Sequence, residues 1–230
     1  MTAIAQQPAS GVTARAAGYS HAAAWILGLV AAWGATPEVG DTHAEIAGAY
    51  DDRPIQAVTQ ALLVHGVAAV GLVVIGSGLL VRSRRTGSAA AGFAGWAGRV
   101  AGVLALVQLV LELIAVPGAD PASPGRTGAL FEAVQRADGV KMLVLAVLAA
   151  AVCTASRHGT LLRRREIVIG WGLAVTITLS GIGYLFLSTV LTPVAYVSLP
   201  LLLIWIAALG SALGRRRLSR SSGGGTGTGT

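Results

Sequence analysis

The sequence predicts an all-α, polytopic membrane protein: a six-transmembrane-helix bundle with both termini on the cytoplasmic side. Three observations predict it. Of the 230 residues, 54% are apolar and only 12% charged, with a mean hydropathy of +0.70, whereas a soluble domain needs roughly a quarter of its residues charged. The apolar residues form long unbroken runs rich in Ala, Leu and Gly, which suits helices in lipid and not the short alternating segments of a barrel. The charges lie mostly between those runs. The single cysteine, Cys153, excludes a disulfide framework.

A helix crosses the ~30 Å hydrocarbon layer in about 20 residues. The first span is placed at 19–36, uncharged from Tyr19 to Thr36 and closed by Pro37. The second, 55–81, is also uncharged. The third, 95–116, carries Arg99 near its start and Glu112 near its end. The fourth, 140–156, has Lys141 at its mouth. No charge occurs from Ile167 to Gly214; one helix of that length would run about 72 Å, more than twice the bilayer. It must fold back, and Ser188, Thr189, Thr192 and Pro193 place the turn. Spans five and six are therefore 167–187 and 191–213, completing a transmembrane domain over 19–214.

The flanks are read more simply. Residues 1–18 and the basic, then Gly/Thr-rich tail 215–230 are expected to be disordered. The segment 38–54 reads as an acidic loop, and 128–138 as a short interfacial helix bearing Leu130, Phe131 and Val134. The run from Ala22 to Trp33 also has the character of a signal-peptide core, whose removal would leave five helices.

Orientation follows from the cations. With the N-terminus inside, Arg15, Arg82, Arg84, Arg85, Arg99, Arg157, Arg163, Arg164, Arg165, Arg215, Arg216, Arg217 and Arg220 fall inside; only Arg53, Arg126, Arg136 and Lys141 fall outside. That asymmetry is a positive-inside signal, and it predicts both ends in the cytoplasm; the bias toward Arg over Lys and toward Ala and Gly fits a GC-rich bacterial genome, and so a bacterial inner membrane. It also accounts for the net charge of +7 without a nucleic-acid partner; anionic lipids are the expected contacts of the arginines.

Helices in lipid associate through small residues that let backbones approach. Gly98 and Gly102, with Ala94 one turn earlier, and Gly210 and Gly214 have that spacing. They fit packing within one bundle or a dimer seam, so the oligomeric state is open.

Function is sought where polarity survives its cost, about 2.5–3.5 kcal/mol for an acid at a helix centre. Glu112 is the intramembrane acid, with Gln108 one turn before it. His65 and Gln60 enter from the outer end of the second span, and Asp138 and Lys141 mark the outer mouth of the fourth. These six residues share a depth. They read either as a ligand pocket or as a structural Glu112–Lys141 pair with His65 on a helix carbonyl. Thr176, Ser180 and Tyr184 recur every four residues with Gly172 and Ser188, forming a stripe that is either a pocket wall or a set of hydroxyls bonded back to their own helix. Tyr196 and Ser198 lie between Pro193 and Pro200. His21 is placed at the inner mouth of the first helix. His43, between Asp41 and Glu45, reads as a solvated loop residue, and no metal-ligand spacing is present. No P-loop, dinucleotide fingerprint, nucleophile elbow or haem motif occurs, so no cofactor is expected.

The C-terminal half, with Leu179-Ser180-Gly181-Ile182-Gly183-Tyr184-Leu185 and Leu199-Pro200-Leu201-Leu202-Leu203-Ile204-Trp205 followed by Gly210, resembles a family of bacterial six-helix membrane proteins that carry a domain of unknown function. The resemblance covers roughly residues 57–212. It implies the six-helix fold and no activity. Proteins of that kind usually carry an acid before the last-helix tryptophan; this chain has only aliphatic residues from Leu201 to Ile204.

These readings leave three functions. The first is a non-enzymatic binder of a small lipophilic or cationic ligand or of a partner helix. The second is an acid-catalysed intramembrane enzyme acting on an isoprenoid-like lipid, with Glu112 as the proton donor and Tyr184, Tyr196 and Trp171 or Trp205 steadying a carbocation. The third is an ion-coupled transporter, which a single intramembrane Glu and the lack of an inverted repeat disfavour.

Overall fold

A computed structural model of the chain describes residues 11–34, 36–156 and 161–215, and every regular element among them is helical. The expectations for residues 1–10, for Arg157 and His158 and for the tail 216–230 lie outside the described residues. The helices are α1 (Gly11–Ala31), α2 (His43–Asp52), α3 (Pro54–Ala61), α4 (Ala68–Thr86), α5 (Ala89–Ala115), α6 (Gly125–Ser156), α7 (Arg164–Leu185) and α8 (Ala195–Arg215). A π-helical turn, Leu62–Val67, joins α3 to α4 as one rod, and a 3-10 turn, Thr192–Val194, leads into α8.

Among the described residues five helices, not six, are long and apolar enough to cross a membrane: Pro54–Thr86, Ala89–Ala115, Gly125–Ser156, Arg164–Leu185 and Thr192–Arg215. The first helix falls short because it begins well before Tyr19. Its first half therefore carries Arg15, Tyr19, Ser20 and His21, and residues 11–18, expected to be disordered, are helical. It ends at Ala31, where the chain turns through Gly34 at φ 70°. It still belongs to the bundle. Its Gly18 lies so close to α8 that an added Cβ would sit 2.9 Å from the Ile206 carbonyl oxygen, and one on Gly210 would sit 2.6 Å from that of Ala14.

Local chemistry sets the other boundaries. Pro54 opens α3, where its missing N–H costs nothing. Gly87, at φ 69°, closes α4 in the left-handed conformation, and the Ser88 hydroxyl then accepts from Ala91 N at 3.3 Å to start α5. The expected acidic loop 38–54 contains α2. Thr42 and Glu45 form a capping box there: Thr42 N donates to Glu45 Oε2 at 2.7 Å and Glu45 N to Thr42 Oγ1 at 3.3 Å. The expected interfacial helix 128–138 is the first part of α6, since no proline interrupts the chain between Pro124 and Ser156. The reversal after α7 places Leu187 at φ 53° and directs Ser188 N to the Gly183 carbonyl at 2.8 Å, a Schellman closure.

Two regions of packing result. The larger joins Leu72, Ile75 and Leu79 of α4, Ala94 and Ala101 of α5, Leu148 and Val152 of α6, Leu173 and Ile177 of α7 and Trp205, Ile206 and Leu209 of α8. Here Gly76 meets α5 so closely that a Cβ would lie 2.7 Å from the Gly95 carbonyl. Gly98 and Gly102 face Gly76 and Ala69, so these small residues are used inside the bundle. The smaller cluster, Ile46, Tyr50, Ala57, Ala115, Val116 and Phe131, seats α2 across the ends of α3, α5 and α6. His43 Nε2 reaches Glu132 Oε1 at 3.2 Å and ties α2 to α6. The arginines of α1, α4, α7 and α8 (Arg15, Arg84, Arg85, Arg164, Arg165, Arg215) belong to the opposite end of the bundle.

Candidate functional site

The site begins beneath α2. The π-helical turn adds a residue to the helical repeat and buries His65, which is 8% exposed; such turns are rare and concentrate at functional positions. His65 Nε2 stands 3.5 Å from Glu112 Oε2 of α5, both side chains largely covered. Tyr50 of α2 lies over this pair. Burial, and secondly the nearby Glu112 carboxylate, push its phenol above its ordinary range.

One turn further into the bundle, Gln108 of α5 is fully buried. Its Nε2 donates to Asp138 Oδ1 at 2.9 Å and to the Val134 carbonyl at 3.2 Å, both on α6. Asp138 is ion-paired with Lys141 one turn along the same helix. The Lys141 ammonium also stands 5.7 Å from the ring centroid of Trp25 on α1, within cation–π range. Gly139, between the two charges, lets α7 close over them: a Cβ there would lie 2.7 Å from the Gly181 carbonyl.

Lys141 is thus not at a helix mouth. It is 4% exposed, half-way along a helix of 32 residues. Placing the fourth span at 140–156 assumed that the helix starts after its charges, but the bundle neutralises them internally and the helix runs through. The structural Glu112–Lys141 pair is likewise replaced by two others, Glu112 with His65 and Lys141 with Asp138.

Below the ion pair lies a small chamber of about 30 Å³, room for one or two water molecules. Asp138, Lys141 and Met142 of α6, His21 and Trp25 of α1, and Ser198 of α8 supply its polar and polarisable wall. Ala68, Ala69 and Ala105 supply much of the rest. His21 is 1% exposed and its Nδ1 lies 2.9 Å from the Ala68 carbonyl oxygen. Sequence reasoning put this histidine at an inner mouth because it started the helix too late; it stands in the middle of α1.

The other sequence-derived candidates do not gather here. Gln60 accepts from the Thr36 hydroxyl at 2.9 Å, near the end of α1. Thr176 bonds back to the Gly172 and Leu173 carbonyls, at 3.0 and 3.3 Å. Ser180 is buried and donates to Met142 Sδ at 3.4 Å, one residue from Lys141. Tyr184 is half-buried, and Tyr196 is 77% exposed. Trp205 is buried, its indole nitrogen against Gly170. Of these, none but Met142 lines the chamber. Trp25, Ser198 and Met142 were not singled out as ligand-pocket residues. A neutral residue gives no signal until its neighbours are known, although the i to i+4 spacing of His21 and Trp25 was visible. Among the described residues no three His, Cys, Asp or Glu side chains are grouped to hold a metal ion.

No family model, curated protein or solved structure matches the chain.

Proposed function

We propose that this chain is a non-enzymatic integral membrane protein that binds a small ligand at the polar cluster of Glu112, His65, Gln108, Asp138, Lys141 and His21. The observation that carries the reading is the buried Asp138–Lys141 pair, held by Gln108 and the Trp25 ring at the edge of a chamber. A buried ion pair is weak as a stabiliser, since desolvation offsets its attraction. Charged groups inside a membrane bundle usually mark the working part of the molecule.

In this reading α1 is a sixth crossing. Its 21 residues span about 31 Å, and it packs along α8 through Gly18 and Gly210. The arginine-bearing end faces the cytoplasm of a bacterium and the α2 end faces outward. Reporter fusions at Arg84 and Arg164 should then register cytoplasm, and fusions at Asp51 and Gly125 the exterior. The ligand approaches from the α2 end, past Tyr50 and the His65–Glu112 pair.

The enzyme reading finds less support. An isoprenoid chain far exceeds the chamber, and Tyr196 and Trp205 stand away from Glu112's neighbours. The deciding experiment is mass spectrometry of what the purified protein retains, run beside Asp138→Asn. A small molecule held by the wild type and lost from a folded variant supports binding. Bulk lipid alone in both contradicts it.

A further inference from the structure

The cluster shows what kind of ligand its deepest part accepts. Among the described residues, four buried side-chain atoms meet no hydrogen-bond partner in the protein: His21 Nε2, His65 Nδ1, Gln108 Oε1 and Trp205 Nε1. The last lies apart, against Gly170. The first three belong to the cluster, and of these His21 lines the chamber. His21 Nδ1 faces a carbonyl, which has no proton to give; Nδ1 therefore carries the hydrogen, and Nε2 of the neutral ring presents a lone pair. Gln108 spends its NH2 on Val134 and Asp138, leaving its oxygen.

The charged groups at the chamber are one carboxylate, Asp138, and one ammonium, Lys141, paired with each other. The ligand is bounded by size: the chamber holds one or two waters, and its lining includes His21, the Asp138 carboxylate and the Lys141 ammonium.

We propose that the chamber binds a water-sized hydrogen-bond donor, water or ammonium, on His21 Nε2 and the Asp138–Lys141 pair. This rests on reading the cluster as a binding site and names the chemistry of its deepest position. Water donates a hydrogen bond to His21 Nε2 and accepts one from Lys141 Nζ; ammonium donates to His21 Nε2 and to the Asp138 carboxylate.

The test is solid-state NMR on the full-length protein, histidine-labelled with nitrogen-15, in lipid bilayers. The His21 signals are assigned by their loss in His21→Phe or, should that variant not fold, by contacts to Ala68. The expected spectrum shows a protonated Nδ1 and a hydrogen-bonded Nε2. Ammonium chloride, against sodium chloride at equal ionic strength, separates the sources: a saturable Nε2 shift identifies ammonium, and magnetisation transfer from water without that shift identifies water. In Ala105→Val, which narrows the chamber, either signature should fall several-fold. An Nε2 with a free lone pair and no transfer, a proton on Nε2 in place of Nδ1, or a signature untouched by Ala105→Val overturns the proposal. A dry His21 in a protein that still retains a small molecule defeats this inference alone. A filled chamber in a protein that retains nothing else defeats only the broader reading.

Discussion

The two ends of the bundle solve the same packing problem differently. Toward the arginine-bearing end, α4, α5, α6, α7 and α8 meet through Leu79, Ala94, Leu148, Val152 and Leu209, with glycine backbones in near contact. Among the described residues the buried charge there is Glu166, spent on the cap of α7, where Arg163 N donates to its Oε2 at 2.7 Å, and the Trp205 indole N–H is buried without a partner. Toward α2, the bundle buries His65, Gln108, Asp138 and Lys141, half-buries Glu112, and leaves several polar atoms unmatched. Lipid supplies no water to hydrate a misplaced charge, so the dry end is the cheaper construction. On the function proposed above, the polar end is kept for binding and not for stability.

The contrast can be broken most severely at the ion pair. Lys141→Ala or Asp138→Ala strands the other charge, and breaking a buried pair costs about 3–5 kcal/mol; reversible unfolding in detergent should show the loss. Leu148→Ala at the dry end should cost about 2–5 kcal/mol, by lost packing and a residual cavity, and should leave ligand retention unchanged in the folded fraction. Gly210→Val forces a side chain onto the Ala14 carbonyl; overpacking of this kind costs about 1–3 kcal/mol, read as α1 parting from α8 in cysteine cross-linking.

The smallest expected effect is at α2. Thr42→Ala removes a cap worth about 1 kcal/mol and should speed amide exchange in α2 alone. Backbone and hydroxyl hydrogen bonds from Thr42 hold the Glu45 carboxyl below its ordinary range. A depressed carboxyl contributes stability above its unfolded pKa, and the contribution is lost as pH falls through the folded value. Exchange in α2 should therefore accelerate on acidification through the low carboxylate range. Equal exchange on both sides of that range would remove the capping box from the account.

Much of the dry end was legible in the sequence, because continuous apolar runs declare helices wherever they pack. The α2 end was legible only in part. Glu112, Gln108, His65, Asp138 and Lys141 stood out because polarity in an apolar run is conspicuous; which of them pair was not visible, since that depends on how α3, α5 and α6 are rotated against one another. Lys141 was misplaced because a charge is read as a boundary until its partner is known. The helix α2 was missed although the Thr42-to-Glu45 spacing signals a helix start. His21 was placed at a helix mouth, and not in mid-helix, for want of a start signal on α1.

The central claim is that the Asp138–Lys141 pair is kept for a ligand and not for the fold. Replacing both together, Asp138→Leu with Lys141→Met, tests it most directly, with unfolding and ligand retention measured on the same sample. The expected result is a folded protein at least as stable as the wild type, as replacing a whole buried pair often yields, with the small molecule gone. A stable double variant that still retains its ligand, or one that unfolds as readily as the single variants, would contradict the claim.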